Sequence, residues 1–70
     1  MSALARKLYQ AEAYAHDLAQ DDARSGHYRS EAGTLWTVEK RTRKQFAYSD
    51  QNTILRAYDQ SWVSAHSATI

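Results

Sequence analysis

The stretch that decides the fold is residues 3–23, ALARKLYQAEAYAHDLAQDDA. Within it Leu4, Leu8, Ala11, Ala15 and Leu18 recur at spacings of 4, 3, 4 and 3, which places all five on one stripe of an α-helix. Arg6, Gln10, Asp17, Gln20 and Asp21 project from the other side. Two of the five stripe residues are alanines in its middle, and small side chains let a facing helix come close. The stripe therefore predicts a tight helix-to-helix contact, within the chain or at a dimer seam. Gly26, just beyond Arg24 and Ser25, supplies a residue able to take the left-handed conformation that ends a helix.

Working outward, the segment from Ser30 to Ala47 places Tyr28, Ala32, Leu35, Val38, Thr42 and Phe46 on one helical face, whereas Thr34 to Val38 is β-prone. The periodicity favours a helix. A strand over 34–38, paired with residues near 46–49, is the alternative. Ser30 is placed to cap the helix with Glu31 at its positive end, and Lys40, Arg41, Arg43 and Lys44 lie toward the negative end. Ser49 or Asp50 offers the next N-cap, and Ile54, Leu55, Tyr58, Trp62 and Ala65 form a broad face running to about His66. The tail from Ser67 to Ile70 has no cap or pattern and is expected to fray.

The prediction is thus an all-α single domain of three short helices, at 3–24, 30–47 and 50–66. The first two form an antiparallel hairpin about Gly26 and the third packs on it. Leu4, Leu8, Leu18, Leu35, Val38, Phe46, Ile54, Leu55, Tyr58 and Trp62 are expected to supply most of the buried area. Only 10 of the 70 residues are Leu, Ile, Val or Phe, about 14%, against the roughly 20% expected of a chain with an ample core. Nine cations against eight carboxylates leave a net charge of +1, which argues against disorder driven by charge. The missing burial predicts completion by a second copy, a homodimer.

Composition also narrows the chemistry. The chain has no cysteine, so neither a disulfide framework nor a Cys-rich zinc site is available. His16, His27 and His66 include no pair at the i, i+4 spacing of helical metal ligands, and no metal or cofactor is expected. Ser25 near His27 matches a nucleophile and base only in residue type, and Glu12, Asp17, Asp21, Asp22 and Glu31 read as solvated helix charges. With no Gly-rich phosphate loop either, the chain reads as a non-enzyme. The opening residues lack a signal-peptide apolar run and no segment is long enough to span a membrane, so a cytoplasmic protein with no membrane partner is expected.

What remains is a surplus of aromatics and one block of charge. Two Trp and five Tyr are the main large side chains, and such residues supply many binding hot spots. Tyr9, off the leucine stripe, and Trp36, about 100° from Leu35, join Phe46 and Tyr48 as candidate contacts. Lys40, Arg41, Arg43 and Lys44 form a cationic rim, which an antiparallel hairpin extends to Arg6 and Lys7. The competing account of that rim is a solvated helix end favoured by the dipole. The functional expectation is a small helical regulator, of inhibitor or adaptor type, that attaches to a larger protein. The alternative is a nucleic-acid-binding regulator using the basic segment 39–44.

Overall fold

The computed structural model describes residues 2–68, and these form three helices: α1 (Ala3–Arg24), α2 (Glu31–Thr42) and α3 (Tyr48–Ala68). Helix α1 begins where the Ser2 hydroxyl accepts the Ala5 N–H at 3.1 Å. It ends at Gly26, whose φ of 71° reverses the chain, with the His27 N–H donating back to the Asp22 carbonyl at 2.9 Å. Helix α2 starts as its sequence predicts: the Ser30 hydroxyl accepts the Gly33 N–H at 3.0 Å, and Glu31 occupies the first turn.

The β-prone stretch 34–38 is helical, and the threonine hydroxyls of α2 are satisfied within the helix. Thr34, Thr37 and Thr42 donate to the carbonyls of Ser30, Gly33 and Val38, each four residues earlier, at 2.9, 2.8 and 2.9 Å. The helix stops at Thr42, five residues short of the predicted end. There Arg43 adopts the left-handed conformation (φ 56°), and the Lys44 N–H closes onto the Glu39 carbonyl at 3.2 Å. A non-glycine at such a position costs about 1 kcal/mol or more, and three side-chain bonds hold the corner. The Lys7 ammonium donates to the Thr42 carbonyl at 2.8 Å, the Glu39 carboxylate accepts the Phe46 N–H at 3.0 Å, and the Gln51 amide donates to the Phe46 carbonyl at 2.9 Å. This earlier break also moves the start of α3 forward to Tyr48, so Ser49 and Asp50 lie within its first turn. At the other end Ser67 and Ala68 remain helical, contrary to the expected fraying, while Thr69 and Ile70 fall outside the described residues.

The Lys7–Thr42 bond and an Arg29–Asp22 ion pair tie opposite ends of α1 and α2 together, so the two helices run antiparallel. Helix α3 returns alongside α1 in the same direction. Tyr58 meets Asp22 and Trp62 meets the His27 carbonyl, while Glu12 lies level with Thr53 and Ala57. The principal seam is α1 against α3. Ala11, Ala15 and Ala19 are fully buried in it, facing Ile54 and Tyr58, with Leu18, Val38 and Phe46 completing the core. Leu8, Leu35 and Trp62 are partly buried against that core. Leu4 departs from expectation: it is 51% exposed, because the stripe runs on past the helices that cover its middle.

Alanine along the seam sets the approach of α3, so volume added there is costly. Ala15→Leu is expected to lower stability by about 1–3 kcal/mol, whereas Ala13→Leu, at an exposed position of the same helix, leaves it nearly unchanged. Thermal unfolding followed by circular dichroism checks the contrast.

Candidate functional site

Thr34, Val38 and Thr42 recur every four residues and are the buried side of α2. Trp36 lies two residues from both Thr34 and Val38, about 200° around the helix from the first, and so projects from the outer side. It is 63% exposed. One turn on, the Lys40 ammonium sits 4.6 Å from the centroid of the indole ring. Trp36, Glu39, Lys40, Arg43, Lys44 and Gln45 line a shallow groove of about 330 Å³. Its one carboxylate, that of Glu39, accepts the Phe46 N–H, so the groove presents three cations around an aromatic ring.

The other residues singled out from the sequence divide. Arg41 belongs to the same helix end, but its guanidinium lies 5.8 Å from the Tyr14 ring on the side facing α1. Phe46 is not a surface contact: it is 5% exposed, sits in the core, and carries the Lys44 ammonium 5.7 Å above its ring. The left-handed corner at Arg43 turns the chain and carries this ring inward, so of the two roles the sequence suggested for Phe46, buried face and partner contact, the structure gives it the first. Tyr48, 78% exposed, stands at the first residue of α3. Tyr9 is 69% exposed but precedes Tyr14 by five residues, about 140° around α1, so it does not share the side that meets α2. Val63 is exposed, as its place opposite the main face of α3 implies.

A second polar constellation went unforeseen. Asp22, expected to be solvated, is buried; its carboxylate accepts the Tyr58 hydroxyl at 2.6 Å and two guanidinium bonds from Arg29 at 3.0 and 3.2 Å. The Tyr58 oxygen in turn accepts the Arg29 backbone N–H at 2.9 Å. A signal for it existed, since Asp22 follows Leu18 by four residues and so continues the buried stripe. Burial alone would push the Asp22 carboxyl upward, but the bonds from Arg29 and Tyr58 outweigh it and hold the group below its ordinary value of 3.8. Burial and then the Asp22 bond raise Tyr58 above its usual 10.0.

Nearby, Tyr28 donates to the Asp59 carboxylate at 2.5 Å, and this bond, followed by burial, pushes its phenol up to about 12. The Tyr28 ring meets Tyr58 and Trp62 edge-on, and the Trp62 indole N–H donates to the His27 carbonyl at 2.7 Å. The Ser25 hydroxyl donates to the Asp22 carbonyl and so serves the helix end. Among the described residues no group of three or more His, Cys, Asp or Glu gathers where it could hold a metal ion, and no helix is long and apolar enough to cross a membrane. Comparison with protein families, with curated proteins and with solved structures returned no match.

Because the folded state depresses the Asp22 pKa, its stabilisation is present above pH 3.8 and is lost as pH falls through the folded value. Asp22→Asn is expected to cost about 1–3 kcal/mol at neutral pH, with the difference from the parent chain shrinking toward pH ~2; urea unfolding at the two pH values measures this. For Tyr28 the sign is opposite. Its raised value favours the fold below pH 10.0, and that contribution disappears as pH rises through about 12. Spectrophotometric titration is expected to show Tyr28 and the buried Tyr58 both ionising late, with one of the two late phenols lost in Tyr28→Phe and one shifted downward in Asp59→Asn.

Proposed function

We propose that this chain is a small non-enzymatic binding module of the cytoplasm, which attaches through the outer face of α2 to an acidic surface on a larger protein and modulates that protein as an inhibitor or adaptor does. The observation that carries the reading is Trp36, a large ring left 63% exposed with cations of its own helix end around it. Tryptophan is prominent among interface hot spots because it brings much apolar area with only two side-chain torsions to immobilise. Lys40, Arg43 and Lys44 supply the polar rim that steers encounter with an acidic partner and excludes basic ones. Arg41, turned toward Tyr14, and Tyr48, beside the corner, extend this surface, whereas Tyr9 belongs to a separate one and Phe46 supports the corner from within.

The same grouping of an exposed indole with three cations favours one second reading, a nucleic-acid-binding regulator. In it a base stacks on Trp36 and neighbouring phosphates meet Lys40, Arg43 and Lys44. The balanced total charge of +1 weighs toward the protein partner.

The test is capture from nuclease-treated lysate of the source cell, followed by mass spectrometry. The wild-type chain is expected to retain a specific protein that Trp36→Ala and Lys40→Glu/Arg43→Glu both lose, with helical circular dichroism unchanged. Loss of the helical signal in Trp36→Ala would show the ring to be structural and sink the interface. Under the second reading the retained material disappears on nuclease treatment, and affinity for single-stranded oligonucleotides falls steeply between about 50 and 200 mM salt.

A further inference from the structure

Asn52, Leu55, Arg56 and Asp59 follow one another at the i, i+3, i+4 and i+7 positions and so share one face of α3. That face and the start of α2, with Glu31 and Thr34, border a common cavity of about 300 Å³, at the lower end of the range for small-molecule sites. Thr34 and Tyr58, both buried, form its inner side. Leu55 lines it as well. This large aliphatic, which the sequence assigns to the core, is half-buried and lies outside the core cluster.

The charged and amide groups on the cavity divide into two sets. Arg29 is engaged with Asp22, and Asp59 with the Tyr28 hydroxyl. The side chains of Glu31, Asn52 and Arg56 are exposed, and among the described residues none of the three makes a hydrogen bond or an ion pair. A carboxylate and a guanidinium that border one cavity without pairing leave both charges to be met from outside. An ion of one sign would satisfy one of them and be repelled by the other, whereas a molecule carrying both signs satisfies both. With Arg29 and Asp59 included, two cations and two carboxylates line the cavity, so its balance favours neither a plain anion nor a plain cation.

We propose that this cavity binds a small zwitterion, a free α-amino acid with an apolar side chain. Its carboxylate takes the Arg56 guanidinium, whose paired donors match carboxylate geometry. Its ammonium goes to Glu31, and the Asn52 amide, able to donate and to accept, meets either group. Its side chain lies against Leu55 and the Tyr58 ring. Because the charged groups are exposed and screened, a Kd of about 1 mM is expected. The site is separate from the Trp36 surface, since Glu31 precedes Trp36 by five residues, about 140° around α2.

Two-dimensional ¹H–¹⁵N NMR of the full chain tests the proposal, with L-leucine, L-methionine and L-phenylalanine as probes up to about 20 mM. At least one is expected to shift the amides of residues 28–34 and 52–59 saturably. The deaminated acid and the amino alcohol with the same side chain are each expected to bind about tenfold or more weakly, because each lacks one charge. Arg56→Gln and Glu31→Gln, which remove no side-chain bond of the fold, are expected to weaken the amino acid by about the same factor. No saturable shift with any of the three probes overturns the proposal. So does equal binding of the deaminated acid, which marks a plain anion site, or unaltered binding in either variant. If a variant loses its helical signal, the ligand series on the parent chain decides. Capture through Trp36 is read in a separate assay, so failure here leaves that role standing, and failure there leaves this site standing.

Discussion

The Asp22 carboxylate is where the three segments of the chain are fastened to one another. It belongs to the last turn of α1, receives the guanidinium of Arg29 from the α1–α2 connection, and receives the phenol of Tyr58 from the middle of α3. An ionised carboxylate out of water is tolerable only with such donors around it. The requirement is mutual, because Tyr58 is the largest fully buried side chain and its hydroxyl needs a partner as much as Asp22 does. In a core with few large aliphatics, this exchange of hydrogen bonds fixes the register of α3 on α1. Alanines alone would leave that register loose. A Trp62 bond to the His27 carbonyl and the Tyr28 bond to Asp59 fasten the same connection at two further points.

Helix α2 is held in a different manner. Its buried side is Thr34, Val38 and Thr42, a narrow and largely hydroxylated strip, so apolar burial contributes less here than along the α1–α3 seam. Its ends are pinned by polar contacts: Arg29 on Asp22 just before the helix, and Lys7 on the Thr42 carbonyl after it. The ammonium at the carbonyl end also meets the negative pole of the helix dipole. A helix secured at its ends has an outer side free of structural duty, and Trp36 with its neighbouring cations occupies that side.

The parts of this fold that were legible in the sequence are those governed by periodicity and capping. The stripe from Leu8 to Leu18, the Ser30 cap and the turn at Gly26 all stand where the residue pattern puts them, and Trp36 and Tyr48 are exposed. What escaped reading depends on contacts distant in the chain. The left-handed Arg43 carries no glycine to announce it, and the corner there depends on Lys7, Glu39 and Gln51, which approach from all three helices. That corner seats Phe46 in the core, where the sequence also put it, and removes it from the candidate contacts. Asp22 was misread because a charged residue on an apolar stripe is usually an interruption, and its partners Arg29 and Tyr58 lie 7 and 36 residues away.

The two tryptophans occupy contrasting surroundings. Trp62 is half-buried, donates its indole proton to a backbone carbonyl and stacks on His66 at 4.7 Å, whereas Trp36 is largely exposed with the Lys40 ammonium over its face. Their emission is accordingly separable by colour and by quencher access. One ring reports on the integrity of the α1–α2 connection and the other on whatever settles against α2, which gives this chain a built-in pair of optical gauges without any added label.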